Sequence, residues 1–152
     1  SMYQALHDVL GDAPFRAMLR DYYGRWQFRH VDRWALQGSA ERVAQQPLGW
    51  FFEQWVGQTG IIDYALRRPV VQKTEHGWTV TVSLSREGRY RHPMPVGVRT
   101  AAGWTMARGN AMLDREVIRI VVAQPPLAMW LDPFGATDSP TAAFYRLPLS
   151  AR

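Results

Sequence analysis

The period of the apolar residues changes once along this chain, at Gly60, and that change limits the folds open to it. Before it, apolar side chains recur at helical spacing. Tyr3, Leu6 and Leu10 share one face, and Gly11 offers a stop. Asp12 can cap a second helix with Pro14 in its first turn, where a missing N–H costs nothing. Phe15, Met18, Leu19, Tyr22, Tyr23 and Trp26 then form one continuous stripe, with Arg16, Arg20 and Asp21 off it. Such a stripe is expected to be core, not a ligand platform. Asp32 can cap a third helix carrying Leu36, Ala40, Val43 and Ala44. Pro47 suits the first turn of a fourth, along which Leu48, Phe51, Phe52, Trp55 and Val56 align. Trp50 stands beside that stripe, so this helix is expected to be covered on more than one side, and Thr59-Gly60 ends it.

After Gly60 the period is two. Trp78 to Ser85 alternates apolar and hydroxylated residues between the turn signals His76-Gly77 and Glu87-Gly88. Met94, Val96 and Val98 alternate next. Ala101-Ala102-Gly103 can turn the chain into a strand through Trp104 and Met106. Glu116 to Val122 is β-branched on both faces, which predicts a strand buried on both sides or near a sheet centre. Pro125-Pro126 breaks it, and Leu127 to Leu131 predicts a last short strand. The expected fold is α+β: a short helical bundle over 3–60, then an antiparallel β-sandwich over 61–152. Helices this short cannot bury all their aromatics among themselves, so they are expected to pack against the sandwich or against a part of the protein outside this sequence.

Composition narrows the function. At 47% hydrophobic and 20% charged over 152 residues, the chain is globular, and no apolar run approaches the roughly 20 residues of a spanning helix. No charged-then-apolar leader opens it, and Ser1-Met2 reads as a scar of tag removal, so a trimmed piece of a longer protein is expected. Without cysteine there is no disulfide, thiolate metal site or cysteine nucleophile. The net charge of +5 is carried almost wholly by arginine, with Lys73 the only lysine. The arginines are scattered, the tightest groups being Arg67-Arg68 and Arg86, Arg89 and Arg91. A solvated surface is expected, and no nucleic-acid partner.

Catalytic motifs are missing. None of the four histidines (His7, His30, His76, His92) forms a His-x-x-x-His pair, so each is expected at the surface or at a cap. No Gly-x-Ser-x-Gly elbow and no phosphate-binding glycine loop occurs. Asp132 and Asp138 could be imagined as an acid/base pair, but a turn around Pro133 and Gly135 accounts for them more simply.

The helical half nevertheless resembles a known family. Leu10-Gly11-Asp12, Phe15, Leu19-x-x-Tyr22-Tyr23 with Trp26 and Phe28, and Trp50-Phe51-Phe52-Glu53-Gln54-Trp55-Val56-x-x-Thr59-Gly60 look like the end of the catalytic domain of zinc aminopeptidases, the gluzincin family of membrane alanyl aminopeptidase and leukotriene hydrolase. In that family a Trp-Phe-Phe-x-x-Trp segment and a Thr-Gly or Ser-Gly pair lead into a β-sandwich, and Leu131-Asp132-Pro133 is similar to the sandwich's end. Ala35-Leu36, Ala44-Gln45 and Ile61-Ile62 depart from the family pattern and mark a divergent branch.

The resemblance implies that the zinc motif, the element reading the substrate's amino terminus and the oxyanion tyrosine all lie upstream. No catalytic or metal-binding residue is then expected here, zinc belongs to the parent protein, and no cofactor to this piece. The expected function is that of a noncatalytic C-terminal fragment of a bacterial aminopeptidase-like metallopeptidase, a hydrolase. Trp26, Trp50, Phe51, Phe52 and Trp55 would anchor helices on sandwich and fix one wall of the substrate cleft. Its partner would be the upstream catalytic domain, with self-association through the exposed helical face as a further expectation. The alternative is an independent β-sandwich binding module for sugar, peptide or protein. Tryptophans on an exposed sheet face would favour it.

Overall fold

The computed structural model describes residues 1–26, 33–56, 59–134 and 144–147; of Trp26, Val56, Phe144 and Tyr145 it describes the backbone alone. The chain divides into two compact units, Ser1–Gly60 and Ile61–Arg152.

The first unit holds α1 (Met2–Leu10), α2 (Asp12–Trp26), α3 (Arg33–Ala44) and α4 (Gly49–Val56). The Ser1 hydroxyl caps α1 by accepting the Gln4 N–H. Gly11, at φ 81, ends α1, and its carbonyl accepts the Phe15 N–H in the first turn of α2. Gln45 takes the left-handed conformation that closes α3. The Glu41 carboxylate then reaches forward to accept the Leu48 N–H at 2.8 Å, fixing the turn into α4. Helix α4 begins at Gly49, so Pro47 precedes its first turn instead of lying in it.

The apolar stripes of all four helices meet in one cluster, with Leu6, Met18, Leu36, Ala40, Leu48, Phe51 and Phe52 buried. Each large member contributes about 1.5–3 kcal/mol on leaving water. Asp21 on α2 receives Arg25 and Arg42 at 2.9 Å each, tying α2 to α3. Hydrogen bonds first from Arg25 and then from Arg42 hold its carboxyl well below the usual carboxylate range.

The second unit is an antiparallel two-sheet structure, as alternation predicts. Strands β1 (Tyr64–Thr74), β2 (Gly77–Arg86) and β5 (Arg115–Val122) form one sheet in the order β1-β2-β5. Strands β3 (Pro95–Thr100), β4 (Gly103–Arg108), β6 (Ala128–Leu131) and β7 (Phe144–Arg146) form the other in the order β4-β3-β6-β7. Val80, Val82 and Leu84 of β2, Ile118 and Ile120 of β5, Val96 and Val98 of β3, and Met129 and Leu131 of β6 share one core.

The structure departs from two expectations. Among the described residues strand β5 pairs with β2 alone and stands at the end of its sheet, with Val117 and Val121 pointing outward at 72% and 60% exposure. β-branching on both faces reported a preference for extended backbone, not burial on both sides. His92, expected at the surface or at a cap, is buried at 1% exposure, and its backbone N–H donates to the Tyr64 hydroxyl at 2.9 Å. Tyr64 is itself buried, which pushes its hydroxyl pKa up. Of the other histidines, His7 bonds the Asp12 carboxylate, His76 lies exposed in the β1–β2 turn, and His30 falls outside the described residues.

Candidate functional site

The four-stranded sheet turns Val96, Val98, Met129 and Leu131 inward, so the alternate residues face outward. Strand register sets those outward residues in two rows. In one, Trp104, Arg99, Ala128 and Arg146 lie side by side across β4, β3, β6 and β7. In the other, Met106, Gly97 and Trp130 do so across β4, β3 and β6.

Trp104 and Trp130 thus start from strands roughly 10 Å apart, on either side of β3. Their rings nevertheless stack, with centroids 5.4 Å apart and planes 26° from parallel. The residue between them is Gly97, where a Cβ would come within 2.8 Å of both the Trp104 ring and the Met106 sulfur. Glycine therefore clears the space in which the indoles meet. Phe134 adds an edge-on contact to Trp104 at 5.8 Å and is itself 68% exposed.

Beside the stack, Arg99, Trp104, Leu127, Ala128, Trp130 and Arg146 line a cleft of about 210 Å³. Ala128 is a small floor between two exposed arginines, neither of which makes an ion pair among the described residues. An indole wall with guanidinium groups at its rim suits a ligand with a flat apolar face and a negative group.

The aromatics singled out in the helical half sit elsewhere. Phe51 and Phe52 are fully buried in the helical unit's own core, and Trp50 and Trp55 pack against it half-buried. Trp26 closes α2, and its side chain lies outside what is described. Asp132 occupies a turn after β6 at φ 50, its N–H donating to the Pro95 carbonyl at 2.8 Å. Asp32 and Asp138 fall outside the described residues. The group of Arg86, Arg89 and Arg91 has a structural use: Arg86 donates to Asp114 and to the carbonyls of Gly88 and Arg89, and Arg91 also pairs with Asp114. The described residues do not fit a zinc centre, since no three histidine, aspartate or glutamate side chains converge among them. No helix among them is long and apolar enough to cross a membrane.

No family model matches the sequence, and no curated protein matches it. Among solved structures, the chain is similar to that of Legionella pneumophila aminopeptidase A in complex with aspartic acid, at 10% identity and a TM-score of 0.63. The likeness covers 86% of this chain and 15% of that one, so the chain spans a small part of the aminopeptidase it resembles in fold.

Proposed function

We propose that this chain is a noncatalytic part of an aminopeptidase-like protein, in which the helical unit completes a catalytic domain and the sandwich braces it. The observation that supports the reading most is a fold likeness covering 86% of the chain, and so reaching into both units, against an aminopeptidase. The Trp50–Trp55 segment supports it from the sequence, because it brings the family's aromatic pattern to the helix before the sandwich. Zinc and its ligands would be carried by the remainder of such a protein.

The helical unit also shows a face that such a remainder would cover. Of the α2 stripe residues whose side chains are described, only Met18 is fully buried and Tyr23 is exposed, and Trp34 on α3 is 65% exposed. The purified chain is therefore expected to bind a dye for apolar surfaces and to self-associate in light scattering, and to hydrolyse no aminoacyl fluorogenic substrate when zinc is added. A clean monomer that ignores the dye removes the bracing role; turnover above a heat-killed control removes the noncatalytic one.

The alternative, a sandwich that binds its own ligand, is favoured by one observation, the Trp104–Trp130 stack on an outward sheet face. Its test is a tryptophan fluorescence titration with neutral and carboxylated oligosaccharides. This reading expects a saturable change with the acidic sugar that Trp130→Ala reduces at least tenfold in affinity. A flat titration with both sugars rejects it.

A further inference from the structure

The three-stranded sheet carries a different arrangement on its outer face. Its inner face is apolar, with Leu66, Leu84, Val82 and Ile118 in the core. On the other face Arg67 stands opposite Ser83, and Ser85 opposite Arg115. Together with Arg68 and Glu87 these residues line a cleft of about 330 Å³.

In a regular strand Arg67 and Arg68 would point to opposite faces. The register of β1 slips between Arg67 and Val70, and Arg68 lies in the left-handed region at φ 56, ahead of Pro69. A bulge of this kind lets successive side chains reach the same side. Its backbone costs about 1–2 kcal/mol for a residue other than glycine, and such strain is found where a side chain has to be aimed.

Charge in the cleft is unbalanced. Arg67 donates to a Glu87 oxygen at 3.1 Å, and the Ser85 hydroxyl donates to the same oxygen at 3.0 Å. These bonds, Ser85's first and Arg67's second, keep the Glu87 carboxyl below its ordinary range, so it stays ionised and answers one arginine. Arg68 and Arg115 are exposed and form no ion pair among the described residues. Two guanidinium groups are thus left over beside the Ser83 hydroxyl.

We propose that this cleft binds a tetrahedral oxyanion of charge near −2, a phosphate or sulfate group, whose oxygens receive the forked N–H groups of Arg68 and Arg115 and the hydroxyl of Ser83. The group can arrive as a free ion or as a phosphate ester on a sugar, since either presents at least three oxygens and a charge near −2 at neutral pH. The site stands whether or not the chain belongs to an aminopeptidase-like protein.

The test is an amide chemical-shift titration of the whole chain with sodium sulfate and sodium phosphate, ionic strength being held constant with chloride. Saturable shifts are expected at residues 66–68, 83–87 and 115, absent with chloride alone. Arg68→Gln and Arg115→Gln should each weaken the binding about tenfold with the thermal midpoint unchanged, because both side chains are exposed. Binding of inorganic phosphate should fade as the pH falls through neutrality, where the ion takes up a proton and loses its second charge, while sulfate binding persists. Glucose 6-phosphate distinguishes the sources: tighter binding than inorganic phosphate means a sugar-borne ligand, and equal or weaker binding means the free ion. Shifts that chloride reproduces, or full affinity in both variants, would overturn the site.

Discussion

Replacing Phe51 by alanine is expected to destabilise the helical unit by about 3–5 kcal/mol, the range for truncating a buried aromatic side chain. Phe51 is wholly buried and packs edge-on against Phe52 at 5.2 Å and Trp50 at 5.9 Å, with Trp55 tilted at 6.3 Å. Its removal takes away the centre of an aromatic cluster as well as its own burial. A stability of about 5–15 kcal/mol is usual for a whole domain, so a unit this small has little margin for the loss. Amide hydrogen exchange reads the effect directly. Protection in α1 to α4 should collapse, while β2 and β5 keep theirs, because among the described residues the sandwich core and the helical cluster are separate sets. Trp50→Ala, at a half-buried position, should cost markedly less. If Phe51→Ala leaves helical protection intact, the cluster does not hold that unit together.

Gly77→Ala should be the most damaging small substitution in the sandwich. Gly77 opens β2 at φ 142, and a Cβ there would stand 2.3 Å from the Val122 carbonyl oxygen and 3.1 Å from the Ala123 Cα. Both obstacles are backbone of the neighbouring β5 end, which cannot swing aside as a side chain could. Conformational strain and overpacking together predict a loss of about 3 kcal/mol. Urea unfolding would show it as a lower midpoint at unchanged slope. Gly103 is the built-in comparison, with φ 116 but nothing within 4 Å of its Cβ position. Gly103→Ala carries the conformational cost alone and should shift the midpoint less. Equal shifts at the two glycines would mean that the carbonyl contact contributes nothing.

The elements legible in the sequence were those whose pattern runs without interruption. Strand β2 alternates along its whole length, and the helices announce themselves by stripes and by Gly11. Strand β1 was not legible: Arg67-Arg68-Pro69 breaks the alternation at the bulge, so the segment has no single face to read. Strand β7, three residues long, is too short to carry a period. The pattern of β5 was visible but its place was not, since β-branched residues serve an edge as well as a centre.

The sites were harder still. Trp104 and Trp130 lie far apart in the sequence and meet only because β3 pairs with β4 on one side and β6 on the other. The arginines looked scattered for the same reason, although register gathers Arg67, Arg68 and Arg115 around one cleft. A glycine inside the alternation of Val96 and Val98 was the one local signal that something large passes over β3.

That glycine has an evolutionary corollary. Any side chain at 97 would force the Trp104 ring and the Met106 side chain to shift, whereas losing the Trp104 ring would relieve much of that constraint on 97. The three positions should thus be inherited as a set. A descendant that has traded the glycine away is expected to have lost or re-aimed the ring at 104, and with it the pairing on that ledge.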